Sequence, residues 1–168
     1  MSSKSAQLHH RNLPMLMLRA RERVISHFRP LLKAHGITEQ QWRVVRALLD
    51  VAALEPRDIG ELCSISSPSL VGVLTRMQQL GLVTRRRVEH DQRRVHVALT
   101  PKARALAARM APHIEATYRH IESTAGAQFV AQLHQALDQL LGTLEPAPDL
   151  PGTPGIGQVQ RTRTARRA

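Results

Sequence analysis

The sequence predicts a mainly α-helical fold with a small β-hairpin wing, that is, a winged helix-turn-helix extended by long helices. Two observations lead to this prediction. Two helical patterns, at about 56–63 and 67–80, are separated by only a few small polar residues, as in a helix-turn-helix. Immediately afterwards the apolar period changes from 3.6 to 2 over Leu82–Val88 and Arg94–Thr100, which indicates two strands around a polar tip, Glu89–Arg93.

Two helices are predicted before this motif. The first runs from Leu13 to about Leu32, because apolar residues fall there at helical spacing until Gly36. The second begins at Thr38, which can form a capping box with Gln41. Its inward-facing residues are expected to be Trp42, Val45, Leu48 and Leu49.

The helix-turn-helix has a packing pattern of its own. Ile59 and Leu62 are the expected apolar contacts of the short helix. In the following helix Pro68 fits the first turn, where its missing N–H costs nothing, and Gly81 supplies the stop. The expected buried stripe of that helix is Leu70, Val73, Leu74, Met77 and Leu80.

The C-terminal part is predicted to hold two more helices. Thr100 and Pro101 begin a long one, in which Pro112 should cause a kink rather than a break. The last helix covers about Ala127–Leu144 and is rich in leucine. We therefore expect a flexible segment at 1–12, a folded region at 13–145 with a DNA-binding core at about 38–100, and a disordered basic tail at 146–168. The inward residues of the long helix are expected to be Leu106, Met110, Ile114 and Ile121.

The net charge indicates the class of partner. The chain has 24 Lys and Arg against 13 Asp and Glu, a net charge of +11, which attracts polyanions. Only 2% of the residues are aromatic, which disfavours single strands and RNA, whose bases stack on aromatic rings, and leaves double-stranded DNA. No apolar run reaches the roughly 20 residues that cross a bilayer, so no membrane partner is expected. A polar N-terminus and one cysteine, Cys63, predict a cytoplasmic protein.

The helix at 67–80 is the expected recognition helix. Small residues at its start, Ser66, Ser67 and Ser69, allow a close approach to DNA, and residues near such a helix N-terminus normally touch base edges. Thr75 and Arg76 lie further along the same helix. Alternatively, the serines only cap and solubilise it. The hairpin that follows directly favours the DNA-binding interpretation.

The hairpin tip carries Asp91, Arg93 and Arg94. An arginine at this place can enter a narrow minor groove, and an aspartate two residues earlier can orient its guanidinium. Arg85, on the first strand, is expected to contact a phosphate unless it is merely solvated. Most charged turns are simply solvated, but the position of this one directly after a helix-turn-helix favours a contact with DNA.

Nothing in the sequence indicates an enzyme, a cofactor or a metal. The nine histidines lack partnering cysteine or carboxylate clusters at ligand spacing, and no nucleophile–base pattern or phosphate-binding glycine loop occurs. Cys63 is expected to be a buried small apolar residue rather than a redox sensor.

The order of elements over about 13–145 resembles the MarR family of regulators. The motifs that carry the resemblance are Leu80–Val83, Asp91–Arg94 and Leu99–Pro101. Two further segments, Ile37–Arg43 and Ser64–Leu70, are similar to the branch of homoprotocatechuate-degradation regulators, the HpaR type. The resemblance implies a homodimer built from the first and last helices, an inverted-repeat operator, and repression relieved by a small phenolic anion.

A candidate effector site lies on the second helix. Trp42 and Arg46 are four residues apart and share one helical face. Arg46 would either grip a carboxylate while Trp42 packs on an aromatic ring, or simply extend to solvent. The resemblance adds Tyr118 at the phenolic end of a phenolic carboxylate, and Asn12 (or His9 or Arg11) contributed by the partner subunit.

Two function classes stay open at this point. One is a ligand-responsive regulator, most simply a repressor, of an aromatic-acid (homoprotocatechuate or hydroxyphenylacetate) catabolic operon. The alternative is an architectural DNA-binding protein with no effector. A ligand-responsive regulator needs a pocket for its effector, whereas an architectural protein that coats DNA needs only positive charge.

Overall fold

The computed structural model describes residues 9–88 and 91–144, apart from the side chains of 88 and 91–93. The predicted flexible segment 1–12 lies outside this part except for its last four residues, and the predicted basic tail 146–168 lies wholly outside it. The chain divides into two compact units, Met1–Thr124 and Ala125–Ala168. The elements are α1 (Leu13–Ala34), α2 (Glu39–Leu49), α3 (Pro56–Cys63), α4 (Ser67–Gln79), β1 (Val83–Val88), β2 (Asp91–Leu99), α5 (Pro101–Ala125) and α6 (Ala127–Thr143). The mainly helical fold with one hairpin is confirmed.

Side-chain caps fix where α1, α2 and α5 begin. The amide oxygen of Asn12 accepts a hydrogen bond from the Met15 N–H at 3.0 Å. Thr38 and Gln41 form the predicted capping box, with bonds of 2.9 and 3.2 Å. Thr100 caps α5 by accepting from the Ala103 N–H at 3.2 Å, and its hydroxyl also donates to a backbone carbonyl of the α4–β1 connection. Each cap satisfies backbone N–H groups that a helix start leaves without intrahelical partners.

The connection between α3 and α4 is a tight turn. Ser64 is left-handed (φ 48°), and the Ile65 N–H donates back to the Gly60 carbonyl at 2.9 Å. A Cβ on Gly60 would lie 3.2 Å from the Ile65 carbonyl oxygen, so this close approach favours glycine. The turn sets the direction in which α4 leaves α3.

The hairpin is antiparallel and is extended by a short third segment. β1 and β2 pair from Val83 with Leu99 onwards, with an irregularity between Arg87 and Val88. Leu54 forms a bridge with Val97 through bonds of 3.0 and 2.8 Å, which joins the α2–α3 connection to β2. The prediction that β2 begins at Arg94 is wrong, because the ladder continues to Asp91, which pairs with Val88.

One core joins α1 to α5 within the unit that ends at Thr124. Its most deeply buried side chains are Val44, Val45, Leu48, Ile59, Leu74, Met77, Val83, Val97 and Met110. Two predicted core contacts are wrong: Leu62 is 67% exposed and Leu80 is 38% exposed. Leu62 lines an open cavity instead of packing in the core, and Leu80 is the C-cap of α4, beyond the part of that helix that packs.

The two C-terminal helices differ in how they are buried. α5 continues without a break across Pro112 and buries Leu106, Met110 and Ile114. α6, in the second unit, has no buried residue, and its exposed apolar side chains include Phe129, Leu133 and Leu141. Its C-cap, Leu144, is also exposed. No helix in the described part of the chain is long and apolar enough to cross a membrane.

Gly81 and Gly72 allow a matched test of backbone conformation. Gly81 has φ +67°, a left-handed conformation that costs about 1–2 kcal/mol with a side chain, so Gly81→Ala should destabilise the fold by that amount. Gly72 lies inside α4 with nothing within 4 Å of an added Cβ, so Gly72→Ala should stabilise by about 0.5–1 kcal/mol. Urea denaturation at one protein concentration measures both. If both substitutions changed the free energy of unfolding in the same direction, the two glycines would not differ in backbone strain as described.

Candidate functional site

The outer face of α4 is polar at its start. Ser66, Ser67 and Ser69 are exposed, as are Thr75 and Arg76 further along. Leu70, Leu74 and Met77 are buried. The predicted DNA-contacting side chains of this helix are therefore all solvent-exposed, while its apolar residues pack in the core.

The serines do not act as side-chain caps. Ser66 is the N-cap of α4 and its carbonyl accepts from the Leu70 N–H, but its side chain makes no cap hydrogen bond. The Ser66 hydroxyl instead donates to the Ser69 hydroxyl oxygen at 3.0 Å. The prediction that a serine lies at the N-cap is therefore confirmed for Ser66, but the hydroxyl does not make the capping bond.

Arg85 connects the wing to α4. Its Nη2 donates to the Thr75 hydroxyl oxygen at 3.4 Å, which brings two of the predicted site residues together. Arg85 is half-buried, and its buried Nε has no acceptor among the described residues. Arg85 thus lies at the junction of helix and strand rather than free on the wing surface.

Arg94 is not a free arginine of the wing tip. Its Nε donates to a carboxylate oxygen of Glu55 at 2.6 Å, and Glu55 is the N-cap of α3. Arg94 therefore lies on β2, where it ties the strand to the start of α3, and not at the hairpin tip; that it contacts DNA stays a prediction. The backbone of Asp91 pairs with Val88 in the hairpin. The side chains of Asp91 and Arg93 lie outside the described part of the structure.

A cavity of about 590 Å³ lies between α1, α2, the end of α3 and α5. Trp42, Arg46 and Tyr118, three of the predicted effector residues, all line it. The Tyr118 ring also packs on Phe28 of α1, with centroids 5.0 Å apart and planes at 60°. Asn12 does not line this cavity in its own chain; its side chain caps α1.

Several residues of the cavity wall were not predicted from the sequence. Arg43 is half-buried there, and its Nη1 donates to the Cys63 carbonyl at 2.6 Å. Asp50 also lines the cavity and lies eight residues after Trp42, on the same side of α2. Helical spacing from Trp42 and Arg46 could have identified Asp50. The other newly found wall residues are Val24, Ile25, Phe28, Ala47, Leu62 and Cys63.

Cys63 is buried, as predicted. Burial raises the pKa of its thiol above the ordinary value, while the nearby positive charge of Arg43 partly opposes this shift. A thiol with a raised pKa is mostly protonated near neutral pH and is therefore a poor nucleophile.

Known proteins resemble this chain over most of its length. The homoprotocatechuate degradative operon repressor of Escherichia coli is 43% identical over 132 residues, which cover 79% of this chain and 86% of the relative. A profile of the MarR family matches residues 35–94. This chain belongs to the MarR family. The predicted resemblance is confirmed, and the chain is a MarR-family transcriptional regulator.

Two further relatives support this assignment. The HTH-type transcriptional regulator FarR of Neisseria gonorrhoeae is 34% identical and covers 80% of this chain and 92% of its own. The crystal structure of NadR in complex with 4-hydroxyphenylacetate superposes with a TM-score of 0.72 at 33% identity, covering 84% of this chain and 99% of NadR. The winged-helix architecture is therefore shared with a regulator that binds a small phenolic acid.

The reactivity of Cys63 tests the electrostatics of the cavity wall. Because its pKa is raised, alkylation of the native protein by iodoacetamide should have its midpoint at a higher pH than alkylation in urea. Arg43→Gln should raise the native midpoint further, since it removes the opposing positive charge. Mass spectrometry across a pH series measures both. Equal rates in buffer and in urea at neutral pH would show that the thiol is not shielded.

Proposed function

We propose that this MarR-family regulator is a homodimeric repressor of an aromatic-acid catabolic operon, released from its operator by a small phenolic carboxylate. The observation that carries the proposal is the convergence of Trp42, Arg46 and Tyr118 on one cavity. The residues come from α2 and α5, more than 70 positions apart, so local helix spacing alone does not explain why they meet.

The chemistry of the cavity fits such an effector. Its volume, about 590 Å³, is within the range of small-molecule sites. Trp42 and Tyr118 offer aromatic surface, and Arg46 offers a forked cation for a carboxylate. Arg46 has no ion-pair partner among the described residues, so its guanidinium is available to an anion. The Asp50 carboxylate can accept a hydrogen bond from a phenolic hydroxyl.

Relatives support the same class of effector. One relative is by name a repressor of a homoprotocatechuate degradative operon, and NadR was crystallised with 4-hydroxyphenylacetate. Both compounds combine an aromatic ring and a phenolic hydroxyl with an acetate side chain. We expect this chain to respond to the same combination.

The DNA-binding surface of the proposal is the outer face of α4 together with the wing. Ser66, Ser67 and Ser69 would approach base edges, and Thr75 and Arg76 would extend the contact. Arg85 would contact a phosphate, while Arg93, oriented by Asp91, would enter the minor groove. One such module reads half a site, so a dimer would read an inverted repeat with half-site centres about one helical turn apart.

A single titration tests the proposed regulation. Adding 4-hydroxyphenylacetate should change the fluorescence of Trp42, the only tryptophan, saturably and should lower the affinity for a promoter fragment selected by binding. Arg46→Gln should abolish both effects because the carboxylate loses its partner. Arg109→Gln, which removes an exposed arginine of α5 outside the cavity, is the matched control. Sequence-independent DNA binding, unaffected by phenolic acids, would instead favour an architectural protein.

The dimer is tested separately on α6. Phe129, Leu133 and Leu141 fall within about a third of the helix circumference and are all exposed, as expected for a surface that another subunit covers. The C-cap residue Leu144 is exposed as well. Leu141→Glu should convert a dimer into a monomer in analytical ultracentrifugation at micromolar concentration. Gln139→Glu adds the same charge on the polar side of α6 and should leave the dimer intact. A monomeric wild type would refute the proposed assembly.

A further inference from the structure

Arg43 lies between the cavity and the helix-turn-helix. It follows Trp42 on α2 and forms part of the cavity wall. Across the wall its Nη1 donates to the carbonyl of Cys63, the last residue of α3, at 2.6 Å. One side chain therefore contacts both the space proposed for the effector and the end of the helix that precedes α4.

The bond from Arg43 supplies a donor to one carbonyl at the end of α3. A helix end leaves carbonyls without intrahelical donors. The Gly60 carbonyl accepts from the Ile65 N–H at 2.9 Å, and the Glu61 carbonyl accepts from the Ser64 N–H at 3.1 Å. The Cys63 carbonyl has a different kind of donor, the guanidinium of α2. Of these three hydrogen bonds, only this one has a donor that also lines the cavity, so a ligand there can affect it directly.

Arg43 also has a hydrogen bond to offer. Its Nε is buried and has no acceptor among the described residues. A buried N–H without an acceptor is unfavourable, so the guanidinium would gain a hydrogen bond by turning its Nε towards an oxygen placed in the cavity. A ligand carboxylate or phenolic oxygen is such an acceptor.

We propose that Arg43 is the positioning residue through which a ligand in the cavity changes the α3–α4 turn and so the placement of α4. This inference rests on the proposed effector function. The guanidinium is rigid and planar, so drawing its Nε towards a ligand oxygen moves Nη1 relative to the Cys63 carbonyl. The turn then loses its donor from α2, and α4 is less firmly placed for DNA. Reciprocally, DNA that fixes α4 weakens ligand binding by the same factor.

The test separates binding from coupling. Ligand affinity is read from Trp42 fluorescence with 4-hydroxyphenylacetate, and DNA affinity is measured with and without saturating ligand. In the wild type we expect the ligand to weaken DNA binding by about 5- to 150-fold, the usual range of coupling between sites. Arg43→Gln removes the donor to the Cys63 carbonyl and the proposed ligand contact, so ligand and DNA should each still bind but more weakly than in the wild type. The ligand-induced loss of DNA affinity should fall to less than about twofold.

Arg104→Gln is the matched control. Arg104 donates to the carbonyl of Leu49, the last residue of α2, at 3.1 Å, but it does not line the cavity. This variant removes a comparable bond to a helix end, and it should keep the coupling of the wild type. A merely structural role of Arg43 would change stability in both variants and coupling in neither.

Hydrogen exchange gives a second measurement in the unmodified chain. Saturating 4-hydroxyphenylacetate should speed the exchange of the Ser64 and Ile65 amides, whose bonds close the turn, while amides in the middle of α5 stay unchanged. The inference would be overturned if the ligand weakened DNA binding by Arg43→Gln as much as it does in the wild type. It would also be overturned if the ligand left the exchange of the Ser64 and Ile65 amides in the wild type unchanged. A wild type whose Trp42 fluorescence and DNA affinity both ignore the ligand would instead refute the proposed function.

Discussion

The burial of one face of α2 is the constraint on which the rest of the unit up to Thr124 depends. Val44, Val45 and Leu48 have no solvent exposure, and α2 packs against α1, α3, α4 and β2. Full burial of an aliphatic side chain contributes about 1.5–3 kcal/mol, so rotation of α2 about its axis would be costly. Because this face is fixed, the adjoining face with Trp42, Arg43 and Arg46 has to border the cavity. α2 therefore contributes one face to the core and the adjoining face to the cavity wall.

Several basic residues serve the fold as well as the net charge. Arg104 donates to the last carbonyl of α2, Arg43 to the last carbonyl of α3, and Lys102 to the carbonyl of the α4 C-cap at 2.8 Å. Cations at helix C-termini satisfy free carbonyls and complement the helix dipole. Arg94 is likewise paired with Glu55. The +11 charge therefore overstates how many cations are free to neutralise phosphates.

Much of the fold could be predicted because its signals are local. The capping box at Thr38, the start of α5 at Thr100 and the change of period at the hairpin each depend on neighbours a few residues apart, and all three were confirmed. The errors at Leu62 and Leu80 arose because an apolar residue at helical spacing need not face a partner. Burial depends on what packs opposite, which periodicity does not specify.

The sites were less predictable because they depend on long-range contacts. Trp42 and Arg46 could be placed on one face from their spacing, whereas Tyr118 joined them only through the family resemblance. The pairing of Arg94 with Glu55 spans 39 positions and has no local sequence signal. The same holds for Arg43, whose acceptor is a backbone carbonyl 20 positions away. A backbone acceptor is present at every residue, so composition does not reveal it.

The combination of one tryptophan with one buried cysteine makes this chain convenient for spectroscopy. Because Cys63 is enclosed in the core, a cysteine introduced at an exposed position of α4 would be the one readily labelled thiol. A spin label or fluorophore there would report the movement of α4 without interference from the native thiol. Energy transfer from Trp42 to a suitable acceptor dye on α4 would give a distance between cavity and helix in solution, in the natural sequence except for the labelled residue.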